Sequence, residues 1–250
     1  MSEERAAPAD TAASTPAAGG TDADAALAAF QFADSFLPVG TYTLSYGLEQ
    51  FAAAERVDDA DDLHSLLVDY LRRQVGPCDV VALAAAWERA DGENALDRVA
   101  AVDERQRSVT LPKEFRESSE KSGRRLLELV AETTDDRVVK AYHERIVAGE
   151  VPGNHAVALG LVTRREGITR DRACLLACHS FVVGLLGAAQ RLVRLTHTDA
   201  QRLLTELRPV IADVCETYAG RDPAAMAPFA PLVDVMGMEH ERAERRLFVS

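Results

Sequence analysis

The sequence predicts an all-α protein, on three observations. Apolar residues recur at helical spacing through most of the chain, no segment sustains period-two alternation, and no Asn-Gly or Asp-Gly turn joins two β-branched runs. With 47% hydrophobic but only 6% aromatic residues, the core must be mostly Ala, Leu and Val, whose small side chains let helix axes approach closely. A chain of 250 residues can bury such a core in one domain. A single bundle of about eight to ten helices is expected.

Residues 1–24 are Ala, Pro, Thr, Gly and Asp without period, a composition that cannot bury enough apolar surface to order itself. They are expected to form a disordered tail before a helical domain over 25–250. A first helix runs into PVGTYTLSYGLE (38–49), where Pro38 and Gly40 should stop it. Ser45 or Thr43 reads as the N-cap of the next helix, with Tyr42 and Tyr46 displayed beside it.

Leu63, Leu66, Leu67, Tyr70, Leu71 and Val75 follow the i, i+3, i+4, i+7 rule behind a run of aspartates suited to a helix N-terminus. Val80, Val81, Leu83, Ala84 and Trp87 form the next stripe, with Gly76-Pro77 expected to separate the two. Polar helices are expected over 95–109, 114–131 and 136–148, then a small-residue helix at about 154–165 after Pro152-Gly153. Thr169 should cap a helix over 171–194. Thr198 and Gln201 have the spacing of a capping box for the following one, which Pro209 should kink or split.

Composition narrows the function. A net charge of −12 repels a phosphate backbone or an anionic membrane, so neither nucleic acid nor membrane is an expected partner. The one local basic cluster, Arg164-Arg165 with Arg170 and Arg172, is too small to reverse this. Only Lys113, Lys121 and Lys140 are lysines against 25 arginines, an exterior suited to very salty cytoplasm. The apolar run 173–189 is short for a membrane span and reads as a core helix, and no signal peptide is visible. A cytoplasmic protein is expected.

No reactive centre assembles from the residues. Gly40 and Gly47 are seven apart with no following lysine, which is not a phosphate loop. Thr43-Leu44-Ser45-Tyr46-Gly47 supplies only half of a nucleophile elbow, leaving a small helical hydrolase using Ser45 as the alternative reading. Cys174 and Cys178 share a helix face, yet a closed metal site needs about four ligands and their neighbours offer only His179. The cysteines are therefore expected in the core, and no metal or cofactor site is expected. The terminal GMEHERAERRLFVS ends on Leu247-Phe248, apolar residues suited to docking.

Taken together these segments resemble the UreF family of urease accessory proteins. The resemblance is carried by Gln31, Asp34, Ser35, Pro38, Val39, Gly40, Ser45, Gly47, Leu48 and Glu49, then by Arg116-Glu117 and Gly123-Arg124. It continues through His155 and Gly160, through Ala188, Ala189, Arg191 and Leu192, and through Gln201-Arg202-Leu203-Leu204. It closes on His240-Glu241 and Arg246-Leu247-Phe248 with Ser250; Thr41 departs from the pattern, where a second small residue is usual.

The resemblance implies an all-helical, non-catalytic scaffold that bridges a UreD/UreH-like protein and a UreG-like GTPase. GTP-dependent nickel insertion into apo-urease would then proceed with nickel and GTP handled by those partners. It also implies a homodimer within the complex. The expected partner contacts are Tyr42, Tyr46, Arg116, Glu117, Arg124, His240, Glu241, Arg246, Leu247 and Phe248. Pro38, Gly40, Ser45, Gly47, Glu49 and Gln201 are expected to shape the backbone. The arm 222–250 is expected to be loose until a partner orders it, with Leu247 and Phe248 as anchors.

Overall fold

The computed structural model describes residues 21–41, 44–243 and 246–248, and every regular element among them is helical. The α-helices are α1 (Asp22–Ala33), α2 (Leu48–Ala53), α3 (Ala60–Tyr70), α4 (Val81–Arg89), α5 (Ala95–Val109) and α6 (Lys113–Thr133). They continue with α7 (Arg137–Val147), α8 (His155–Arg165), α9 (Arg170–Leu192), α10 (His197–Glu206), α11 (Arg208–Tyr218) and α12 (Pro231–His240). A π-helix, Leu71–Val80, joins α3 to α4, and a 3-10 turn, Pro223–Ala225, precedes α12. Taking the joined α3 and α4 as one rod and setting aside the six-residue α2 leaves ten helices, as many as expected.

Helices α4 and α8 form the centre. Val81 to Ala86 and Ala156 to Thr163 are buried without interruption, so neither stretch has a wet face. Their axes come close because Gly160 presents no side chain: a Cβ there would lie 2.4 Å from the Leu83 carbonyl oxygen. Gly123 does the same for α6, where a Cβ would fall 2.1 Å from the Gly153 carbonyl oxygen. The small-residue composition thus becomes backbone-to-backbone packing. Each fully buried Val or Leu contributes about 1.5–3 kcal/mol.

Helix α9, at 23 residues, is long and apolar enough to cross a membrane by length and composition, with half of its most apolar window buried. It packs against α1, α4, α8 and α11. Thr169 caps it, its hydroxyl accepting from the Arg172 amide, as expected. Pro209 divides α10 from α11 at a position where its missing N–H has no intrahelical partner to lose.

Several expectations are corrected. Asp22 to Asp24, assigned to the tail, form the first turn of α1, because Thr21 and Asp24 make a capping box. Gly76-Pro77 does not break the chain: the wider π turn absorbs the donor that Pro77 lacks. Gly76 is needed for packing, since a Cβ there would lie 2.6 Å from the Tyr218 ring. The box opening α10 pairs Thr196 with Asp199 instead of Thr198 with Gln201; a carboxylate suits the positive helix end better than an amide. Helix α2 is capped by Gly47 at φ 81° with no side-chain hydrogen bond, so Ser45 is not its N-cap.

The arm from residue 222 is folded onto the bundle through its described length. Phe229 N–H donates to the Arg73 carbonyl at 2.9 Å, and Arg105 holds the Met226 carbonyl at 2.7 Å. One backbone bond and one side-chain bond thus tie this part of the arm to the bundle.

Candidate functional site

The signature segment and the end of the chain meet at one place. Gly47 turns the chain into α2 through its left-handed conformation, and α2 lies against α12 so closely that a Cβ on Gly47 would be 3.2 Å from Gly237 N. Gly237 in turn meets Phe115 of α6, whose ring would lie 2.8 Å from an added Cβ. Three elements close around the last residue of α12, His240, which has no exposed surface.

His240 sits between two carboxylates. Its Nδ1 is 2.6 Å from Glu114 Oε2 and its Nε2 is 3.2 Å from Glu49 Oε2. Each ring nitrogen therefore faces a carboxylate oxygen. Arg246 pairs with the other oxygen of Glu114. The Glu114 amide donates to Glu241 at 3.2 Å, and the Leu247 and Phe248 amides donate to Glu49 at 2.9 and 3.3 Å. Glu49 and Glu114 thus hold the chain end by side-chain charge and by backbone donors together. Charge-assisted hydrogen bonds of this kind are about twice as strong as neutral ones.

The structure brings together Gly47, Glu49, His240, Glu241, Arg246, Leu247 and Phe248. Phe248, expected as a free anchor, is buried at 6% exposure, and the Arg191 guanidinium lies 5.8 Å from its ring centroid. Leu247 remains outward at 76%. Tyr46 is not displayed: its ring packs on Phe115 and Phe181, its carbonyl accepts the Tyr70 hydroxyl, and burial pushes its own hydroxyl up. Tyr42 and Thr43, the other candidate cap of α2, lie outside the described residues.

Arg116 is spent on the Thr110 and Leu111 carbonyls at 2.7 and 2.6 Å, closing the C-terminal end of α5. Glu117 pairs with Lys113 one turn back, and Arg124 is exposed on α6. Pro38 and Gln201 are exposed, and Gly40 takes φ 86° beside Arg125. Glu114, Phe115 and Gly237 were not singled out from the sequence. Glu114 differs from other first-turn acids only through partners 126 and 132 positions away, a separation that local pattern does not carry.

The other chemistries weighed from the sequence have these settings. Ser45 is fully buried and so has no surface from which to meet a substrate. All four cysteines are buried thiols; Cys178 and Cys215 approach to 3.8 Å across α9 and α11, where the hydrogen bond with Cys215 and then burial hold Cys178 well up. Among the described residues no group of three His, Cys, Asp or Glu is placed to hold a metal. The arginine cluster is neutralised: Arg164 and Arg165 pair with Asp91, Arg165 also with Asp136, and Arg170 with Glu88.

The exposed apolar surface is concentrated. Helix α12 buries Val233, Met236, Gly237 and His240 on one side, yet Leu232, Val235 and Met238 are 37–48% exposed on the other, following Phe229 at 71%. A second group comprises Leu27 and Phe30 of α1 with Phe36 beyond it at 91%.

A family model named UreF matches residues 57–208. The urease accessory protein UreF of Trichodesmium erythraeum is 32% identical over 92% of this chain and 99% of its own length. A UreF 1 of Brucella melitensis is 34% identical over 88% of this chain and 90% of its own. The UreF of Yersinia enterocolitica is 30% identical over 87% and 95%.

Proposed function

Because the chain belongs to the UreF family, whose named members are urease accessory proteins, we propose that it works in urease maturation as a scaffold without turnover of its own. It bridges a UreD/UreH-like protein and a UreG-like GTPase. Nickel, the cargo, then reaches apo-urease while the GTPase partner hydrolyses GTP. Two copies of the chain pair within that complex.

One observation carries this reading: α12 is apolar on both sides. Its inner side completes the core, and its outer side, with Leu247 beyond the clasp, offers a surface whose burial must occur against something else. The clasp at His240 fixes where that surface points. The α1 group is a second apolar area on a different element, as a bridge requires. Any arginine lent to the GTPase transition state falls to Arg124, since Arg116 is held by carbonyls and Arg191 faces Phe248.

The test is co-purification with the UreD/UreH-like and UreG-like proteins. Val235→Asp with Leu247→Asp should abolish capture while leaving helicity and unfolding unchanged. Retained capture, GTP or ester hydrolysis by the purified chain alone, or normal urease maturation in its absence would overturn the reading.

A further inference from the structure

A cavity of about 320 Å³ lies between the π-helix, α5, α6, α8 and α9, with residues 34–41 forming one wall. It is roughly twice the size of an engineered apolar cavity of about 150 Å³ that holds benzene. Much of its wall is apolar, with Phe32, Leu44, Phe115, Leu159 and Phe181 among the lining residues. Within α9, Gly184 and Gly187 face open space: an added Cβ on either would touch nothing.

The polar part of the wall has a consistent sign. Asp79 lies deep in the bundle yet keeps partial access because it lines the cavity, with one oxygen accepting from Gln106 Nε2 at 2.7 Å. Asp34 stands exposed in the wall formed by the 34–41 segment, and no Lys or Arg is among the described lining residues. Four lining residues carry a buried atom with no protein partner: Gln74 Oε1, Gln106 Oε1, His155 Nδ1 and Ser180 Oγ. The first two are acceptors. His155 is kept neutral by burial, and its bond to the Ser122 backbone occupies the other ring nitrogen, so Nδ1 is an acceptor too. Acceptors and carboxylates therefore outnumber donors, and buried acceptors left unpaired are costly.

We propose that this cavity binds a small amphipathic nitrogen cation, an amidinium, guanidinium or ammonium head on an apolar body. The head donates to Asp79 and to the unpaired oxygens, and the body fills the space between Phe115, Leu159 and Phe181. An acceptor-rich anion of the same shape is repelled by the same groups.

The experiment uses the full chain at about pH 8.5, above the value to which burial raises Asp79 so that its carboxylate is ionised, and three probes of matched shape: benzamidine, benzoate and benzene, each followed by titration calorimetry and ligand-observed NMR. Saturable one-site binding of benzamidine is expected, at least tenfold tighter than benzene, with no benzoate binding. Asp79→Asn should weaken benzamidine at least tenfold and leave benzene unchanged. Gly184→Leu, which fills the space from a helical position, should abolish binding of both while keeping the fold, so the proposal stays testable if the Asp79 variant fails to fold. Benzoate binding as tightly as benzamidine, benzamidine binding unaffected by either variant, or no binding by any probe would overturn it; the last outcome leaves ordered water as the cavity's occupant.

Discussion

His240 Nδ1 lies 2.6 Å from Glu114 Oε2, joining the last residue of α12 to the first turn of α6 across 126 positions of sequence. Removing the imidazole takes away the one side chain that both Glu49 and Glu114 contact. His240→Ala should therefore destabilise the protein by about 1–3 kcal/mol, the cost of leaving buried polar groups without their partner. Urea denaturation measures this; a loss below about 1 kcal/mol would mean the clasp is not a stabilising contact.

Glu49→Gln keeps shape but removes the charge that receives the Leu247 and Phe248 amides. Hydrogen exchange at those two amides should accelerate while the protection of α4 and α8 stays unchanged. Equal acceleration throughout would show that Glu49 acts on global stability instead.

Gly123 and Gly184 make a matched contrast. An alanine at 123 would drive its Cβ to 2.1 Å from the Gly153 carbonyl oxygen, so α6 must move off the 153–155 segment. Gly123→Ala should cost about 3 kcal/mol or more, the upper range of overpacking. Gly184→Ala meets open space and gains helix propensity, so a gain of about 0.5–1 kcal/mol is expected. Thermal unfolding of both variants checks the pair.

Two buried groups give opposing pH dependences. Burial pushes Asp79 up to about 7, so between about pH 4 and 7 the native state holds a proton that the unfolded chain releases, and stability falls as pH rises. Burial brings His155 down to about 4, so between about pH 4 and 6.5 the unfolded chain holds a proton that the native state does not, and stability rises with pH. Each slope is about 1 kcal/mol per pH unit, and below about pH 6.5 they cancel. Asp79→Asn removes one and should uncover a rise of about 1 kcal/mol per unit from about pH 5 to 6.5. Urea midpoints across that interval decide it; a variant with the same slope as the parent would refute the assignment.

Net charge −12 with three lysines should make the fold salt-dependent, because self-repulsion is screened as ionic strength rises. The melting temperature is expected to climb between low salt and molar salt. Indifference to salt would remove the reading of a salty interior.

The helical rods were legible because their apolar stripes are local: 95–109 and 154–165 need only their own residues to be recognised. The π-joined rod was not. A glycine-proline pair reads as a break unless Tyr218, 142 positions on, is known to press against Gly76. Likewise Phe248 looks like a free end in sequence, and only Glu49 and Arg191, brought from far upstream, make it interior. The signature residues named the place of the clasp without revealing that its members touch.

The π turn at Leu71–Val80 has one more effect. Each residue in a widened turn advances the helix face by less than an α residue does, so α4 leaves the segment rotated relative to α3. That offset aims Leu83 at Gly160 and leaves Asp79 on the cavity. Rewinding the segment to ordinary α geometry at unchanged length would rotate the whole downstream stretch to Arg89 and turn its alanines toward the wrong neighbours. The segment therefore acts as a phase shifter for the centre of the molecule.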